Sequence, residues 1–185
     1  MKHPSSRAFY AYWDDKRGFA RAPDRSELEP GPVRELLGDI FVLSYDPEGG
    51  FPFRVAGTRV CALLGRDVKG QSFPALFAAE SRREMADLLG VVADEVHAVV
   101  AGVTARTADG ARVDMELLLL PFNARAHAPL SLTGLLAPLL GHPGALGELT
   151  LTSWRIIEPR PEPFRSRAIR KLQVARGFIV YEGLR

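Results

Sequence analysis

The sequence has a single cysteine, Cys61, and no long apolar run among its 185 residues. One cysteine can form neither an internal disulfide nor a cysteine-based zinc cage. The longest apolar stretch, residues 130–140, is interrupted by serine, threonine, glycine and proline, and it is far shorter than the ~20 residues that a membrane helix needs. Residues 1–18 carry charges and no apolar run, so no secretory signal is expected. These absences predict a soluble, cytoplasmic protein.

The common motifs of catalysis are missing as well. The chain contains no Gly-x-Ser-x-Gly elbow, no phosphate-cradling glycine-rich loop and no His-Glu-x-x-His. Its histidines, His3, His97, His127 and His142, have no metal-ligand spacing to one another or to acids. We therefore predict no catalytic residue and no metal site, and expect the protein not to be an enzyme. An enzyme with an unrecognised site, assembled in space on the same scaffold, is the alternative.

Charge is balanced overall but not along the chain. The formal net charge is +2, yet the segment from Arg160 onward holds seven Lys or Arg and two acids. A basic tail of this kind is compatible with nucleic acid or an anionic membrane surface as a partner, but it lacks a groove-reading motif, so nucleic acid is not the expected partner. A solvated terminal helix over residues 165–177 is the preferred interpretation, and a nucleic-acid-associated regulator is a further alternative function.

Apolar periodicity and turn residues predict the order of the elements. A first helix capped by Ser5 or Ser6 ends by Gly18. The other predicted helices cover residues 33–37, 58–64, 72–77 and 80–96, of which the last has the clearest apolar face. The predicted strands are residues 39–45, 51–56, 99–107, 112–122, 130–140 and 149–157. Residues 123–128 are predicted as a polar loop.

Two strands, then helices, then strands joined by hairpins make an α+β arrangement with an antiparallel sheet. We expect a sheet of five to six strands covered by helices on one face. The middle helices and the N-terminal segment are both expected on that face, with a pocket between them and the sheet. The predicted division is an N-terminal helical extension (1–38), a core (39–157) and a basic, proline-containing tail (158–185).

Several sequence motifs resemble those of the PAS domain family, and in particular those of a subfamily of small stand-alone bacterial PAS proteins. The matching blocks are Tyr12-Trp13, residues 23–30 (Pro-Asp-Arg-Ser-Glu-Leu-Glu-Pro) and residues 53–59 (Phe-Arg-Val-Ala-Gly-Thr-Arg). They continue with Leu-Gly-Arg-Asp at 64–67 and Gly-Gln-Ser-Phe at 70–73. The likeness covers about residues 9–157, and the Ala-Gly-Thr-Arg block followed by Gly-x-Ser-Phe is its most specific part.

The resemblance implies a sensory or protein-interaction module that binds an unidentified small ligand or a signalling partner. The candidate ligand-binding residues line the expected pocket between the sheet and the middle helices. They are Arg59, Val60, Cys61, Leu64, Phe73, Phe77, Leu88 and Val92.

Arg59 is the polar contact in this set, because a guanidinium grips carboxylate or phosphate in two places. A surface salt bridge from Arg59 to Asp39 or Asp67 is the preferred alternative.

The cofactor is left unknown. PAS relatives that bind haem suggest His97 as an axial ligand, but a histidine at a helix C-terminus is more often favoured by the helix dipole. Light-sensing relatives suggest a flavin adduct at Cys61, but the sequence around it does not match theirs. Cys61 is interpreted instead as a small buried hydrophobe.

The aromatic first helix is the predicted contact for partners. Resemblance to PAS proteins implies a homodimer through Phe9, Tyr10 and Trp13. The alternative is that Phe9 and Trp13 cover the sheet of their own chain, and the two interpretations are compatible.

Overall fold

The computed structural model describes residues 1–46, 48–123, 131–141, 143–158, 169–175 and 178–183. The helices are α1 (Pro4–Arg17), α2 (Thr58–Leu64) and α3 (Ala79–Asp94), with 3-10 turns at Arg25–Glu27, Arg34–Leu36 and Pro74–Leu76. The strands are β1 (Ile40–Ser44), β2 (Phe53–Ala56), β3 (Ala98–Arg106), β4 (Arg112–Pro121), β5 (Ser131–Pro138), β6 (Thr150–Ile157), β7 (Ile169–Ala175) and β8 (Phe178–Gly183). The predicted order of elements is confirmed as far as β6.

Six strands form one antiparallel sheet in the order β2-β1-β5-β4-β3-β6. Pairing of β1 with β5 joins two segments that are about 90 residues apart in sequence. It also brings the start of β1 to the end of β5, where the N–H of Leu136 donates to the carbonyl of Asp39 at 3.1 Å. The predicted α+β fold is confirmed.

Strand β4 requires cover on both faces of the sheet. Residues 115–121 are all buried, with Leu117 and Leu119 in one apolar cluster and Leu118 and Leu120 in another. Because side chains alternate along a strand, these clusters lie on opposite faces. Helices α2 and α3 cover the first, which we call the helix face, and α1 covers the second, the outer face.

The expectation that the N-terminal segment shares a face with the middle helices is therefore wrong. Phe9 and Trp13 pack in the outer-face cluster with Val100, Leu118 and Leu135. The middle helices already fill the helix face, so the apolar side of α1 finds its cover on the outer face instead.

The start of α1 is fixed by a buried carboxylate on the outer face. Glu116 accepts the backbone N–H of Lys2 at 2.5 Å and that of His3 at 3.0 Å. Burial acts to raise the pKa of Glu116, but these N–H groups and the nearby N-terminal charge outweigh it, so the pKa is lowered. The N-cap is His3, whose side chain accepts the N–H of Ser5, and not Ser5 or Ser6 as the sequence predicts.

The C-terminal helix predicted over residues 165–177 is also wrong where the structure describes that segment. Residues 169–175 form strand β7, which pairs antiparallel with β8 as a separate two-stranded sheet. The predicted polar loop lies outside the described residues beyond Asn123, as do His127 and His142.

Candidate functional site

Most of the residues predicted to line a ligand pocket form the packed core of the helix face. Val60, Leu64, Phe73, Phe77, Leu88 and Val92 are all buried in one cluster with the inward side chains of β1, β3, β4 and β5. Cys61 is half-buried and packs against that cluster. Arg59 is not part of the cluster.

A run of phenylalanine rings fills the space between the sheet and the helices. The ring centroid of Phe73 lies 5.1 Å from that of Phe41, 5.5 Å from that of Phe53 and 5.6 Å from that of Phe77. Phe41 and Phe53 are themselves 5.5 Å apart and edge-on. These separations are those of favourable aromatic contacts, so the rings occupy the volume in which the sequence predicts a pocket.

Four cavities bounded by the described residues lie elsewhere. None of them is lined by Phe73, Phe77, Leu88 or Val92. The largest, with a volume of about 470 Å³, lies where β1 begins and β5 ends. Its walls include His3, Asp39, Arg59, Leu63 and Pro138, and we call it the Arg59 cleft.

Arg59 lines this cleft and is anchored there by three hydrogen bonds. Its Nε donates to Oδ1 of Asp39 at 2.7 Å, and its Nη2 donates to Oδ2 of Asp39 at 2.8 Å and to the carbonyl of Glu35 at 2.6 Å. The Asp39 carboxylate raises the pKa of Arg59 above its ordinary value, against a smaller lowering by burial. The predicted alternative, a salt bridge to Asp39, is confirmed.

The guanidinium lies flat on Gly38. A Cβ at Gly38 would approach Cζ of Arg59 to 2.7 Å and Nη1 to 2.9 Å, so a larger residue would displace the side chain. Nη1 takes no part in the salt bridge with Asp39. It has no hydrogen-bond partner among the described residues. The side chain of Arg59 is 49% exposed, which leaves Nη1 available to a ligand.

His3 brings a second polar group to the cleft. Its Nδ1 accepts the N–H of Ser5 at 3.2 Å. The proton of the neutral ring is therefore on Nε2, which is left as a donor.

The sequence predicts neither this cleft nor a role for His3 in it. No local signal predicts that His3 and Pro138 line one cavity, because sheet pairing and the docking of α1 bring them together.

The two candidate cofactor ligands, His97 for haem and Cys61 for flavin, do not line any of the four cavities described above. His97 follows α3 with its side chain 30% exposed, and its Nε2 lies 3.8 Å from a carboxylate oxygen of Glu95. Cys61 lies on α2 beside the core in which Phe73 and its neighbours are packed. Neither residue faces a described cavity with room for a porphyrin or a flavin.

The aromatic residues predicted as partner contacts in α1 pack mostly against other parts of their own chain. Phe9 and Trp13 are buried on the outer face, and the indole N–H of Trp13 donates to the carbonyl of Pro121 at 2.9 Å. Tyr10 is half-buried and its ring stacks on that of Trp13 at 5.9 Å. Phe9 and Trp13 thus cover their own sheet, as the alternative interpretation expected, while the homodimer stays a prediction.

The described residues contain no group of three or more His, Cys, Asp or Glu placed to hold a metal ion. Within that same part of the chain, no helix combines the length and apolar character needed to cross a membrane.

Comparison with solved structures gives similar chains of low identity. The LOV protein of Rhodobacter sphaeroides is 16% identical with a TM-score of 0.44, over 58% of this chain and 64% of that one. The blue-light photoreceptor Aureochrome1 LOV is 10% identical with a TM-score of 0.44, over 57% and 84%. The PAS domain of an HTR-like protein from Haloarcula marismortui is 22% identical with a TM-score of 0.39, over 57% and 88%.

This chain thus spans less than two thirds of the Rhodobacter protein. At these scores the likenesses carry no argument about what this chain binds. No curated protein matches it. The profile described as PAS domain, however, matches residues 1–137, which is well over half of the sequence. With that match and the six-stranded sheet already described, the chain belongs to the PAS domain family.

Proposed function

We propose that this PAS domain is a sensory and interaction module of bacterial signalling that recognises its ligand or partner at the protein surface. It holds no cofactor between the sheet and the helices, and it is not an enzyme. The observation that supports the proposal is the packing of Phe73 against Phe41, Phe53 and Phe77 in the centre of the helix face.

Energetics favour a surface site over the core. A haem or flavin between the sheet and α3 would have to displace several buried aromatic side chains, and the loss of one such side chain typically costs about 3–5 kcal/mol. The Arg59 cleft requires no displacement, because it is open in the described structure. Of the eight residues that the sequence assigns to a pocket, seven belong to the core or pack against it. Arg59 is the only one of the eight that lines the cleft.

The proposal keeps the three-part division into residues 1–38, 39–157 and 158–185. In it, α1 belongs to the module as the cover of the outer face.

Native mass spectrometry and an absorption spectrum of the purified full chain test the proposal. We expect multiples of the 20.3 kDa chain mass with no retained cofactor, and no absorption at visible wavelengths. A stoichiometric haem or flavin would contradict the proposal. A colourless molecule that is retained would be located by variants, since Ala62→Phe narrows the cleft and Phe73→Trp alters the core. Loss of the molecule from Phe73→Trp alone would also contradict a surface site.

A further inference from the structure

We propose that the Arg59 cleft binds a small molecule that has a carboxylate head and an apolar body. This inference rests on the proposed function, in which recognition takes place at the surface. Beyond the proposed function, we name the chemistry of the ligand and the protein atoms that bind it.

The first step is the state of Arg59 before a ligand arrives. Nε and Nη2 are engaged by Asp39 and by the carbonyl of Glu35, and Gly38 supports the plane of the guanidinium. The side chain is therefore already ordered, so a ligand that binds Nη1 does not have to immobilise it. Nη1 presents two N–H donors, and hydrogen bonds to an ionised partner are the strong ones.

The second step is the charge of the ligand head. Asp39 neutralises one unit of charge on Arg59, since both of its carboxylate oxygens contact the guanidinium. His3 adds a neutral N–H donor at Nε2 by the argument given above. The Arg59–Asp39 pair is thus neutral overall, and the ligand head is held by N–H donors rather than by a free cation. A planar carboxylate carries one charge and loses less hydration there than a phosphate dianion, for which the described walls offer no further cation.

The third step is the body of the ligand. Beyond the polar end, the walls are formed by Ala62 and Leu63 of α2 and by Ala137, Pro138 and Leu139 at the end of β5. The volume of about 470 Å³ falls within the range typical of small-molecule sites. These walls favour an alkyl or aryl group, because its burial removes apolar surface from water.

Octanoate is the probe that tests this inference, titrated into the full chain by isothermal calorimetry with 1-octanol and octyl phosphate in parallel. We expect octanoate to bind to one site, at least about tenfold more tightly than octanol, which is the effect of a charge-assisted hydrogen bond. Octyl phosphate should bind more weakly than octanoate. Equal binding of octanol, or tighter binding of octyl phosphate, would overturn the assignment of the head group.

Variants then locate the site. Arg59→Lys keeps the charge and the pairing with Asp39 but removes Nη1, and should weaken octanoate binding about tenfold or more. Its matched control is Arg66→Lys, a change at an exposed arginine outside the cleft. Ala62→Phe should block the cleft, whereas Ala11→Phe, at an exposed position of α1, should have no effect.

His3→Asn supplies an independent variant, because asparagine can still cap α1. Octanoate binding should fall in this variant while the thermal midpoint stays near that of the wild type. Octanoate binding that is unchanged in Arg59→Lys and Ala62→Phe, or absent from the wild type, refutes this inference. If the purified chain also lacks a core cofactor, the proposed function stands without it, while a haem or flavin in the core defeats the proposed function itself.

Discussion

Replacement of Phe73 by alanine tests whether the helix face is filled by its own aromatic residues. Phe73 is 1% exposed and its ring contacts those of Phe41, Phe53 and Phe77. Truncation removes the ring from the centre of this group, and none of the three neighbours can close the gap without leaving its other contacts. The expected result is an apolar cavity and a large loss of stability.

The magnitude follows from the burial and the three ring contacts. A buried Phe→Ala substitution costs about 3–5 kcal/mol in total, and the loss of aromatic pairs worth roughly 0.5–1.5 kcal/mol each places Phe73 in the upper part of that range. We therefore expect a loss near the upper end, about 4–5 kcal/mol. Urea unfolding followed by circular dichroism measures it, and the thermal midpoint should fall by roughly 10–15 °C for a chain of this length.

The same variant has a second readout. Its cavity is apolar and should remain dry, so benzene should bind there and recover part of the lost stability. Phe19→Ala is the control, because Phe19 is 62% exposed and its removal should change stability by no more than about 0.5 kcal/mol. A loss below about 2 kcal/mol for Phe73→Ala would refute the argument, since it would mean that the ring lines open space. If that variant fails to fold, Phe73→Leu should show a smaller loss of the same origin.

Two further changes test the faces of the sheet. The lowered pKa of Glu116 means that its carboxylate stabilises the fold above its unfolded pKa of about 4.3, and this contribution is lost as the pH falls through the folded value. Glu116→Gln should therefore cost about 1.5–3 kcal/mol at pH 7 in urea unfolding and less at pH 3; an equal cost at both pH values contradicts this. Gly134→Ala would place a Cβ against the ring of Phe41 and 2.8 Å from the carbonyl oxygen of Leu118, and should cost about 1–3 kcal/mol. Gly31→Ala, where a Cβ meets nothing within 4 Å, should be neutral or stabilising by the same assay.

Local patterns predict the elements of the core well. Helix α2 has the predicted bounds of 58–64, because Gly57 and Gly65 flank a short apolar run. Helix α3 starts and ends within two residues of the prediction, since its buried positions Met85, Leu88, Leu89 and Val92 repeat at helical spacing. These elements are specified by side chains close to one another in sequence.

The position of α1 depends on information that its own sequence does not contain. Phe9 and Trp13 give the helix an apolar side, but both faces of a sheet can receive it. A signal was nevertheless present in β4, where residues 117–120 are four consecutive leucines. A continuous apolar run is typical of a strand that is buried on both faces, and it implies a second cover that the middle helices cannot supply.

The C-terminal segment shows the opposite limit. Residues 169–175 mix basic, polar and apolar residues without a clear period over so short a run, so the sequence alone does not decide between helix and strand. Pairing with residues 178–183 decides for the strand in the described structure.

The Arg59 cleft required knowledge of which strands pair. The Arg59–Asp39 salt bridge is predictable, because both residues lie at the starts of elements recognised from the sequence. Leu63 and Pro138 join them only because β1 lies between β2 and β5.

Docking of α1 changes how the predicted homodimer has to be understood. Phe9 and Trp13 contribute to a cluster that includes Val100, Leu118 and Leu135, so a dimer that uses these two residues would have to lift α1 from its own sheet and expose those side chains. Lifting α1 would also break the hydrogen bond from Trp13 to the carbonyl of Pro121. Glu116 would lose the hydrogen bonds that it accepts from the backbone N–H groups at the start of the chain. A dimer that leaves α1 in place avoids these costs, and Tyr10 is the one predicted contact residue that is still partly exposed for it.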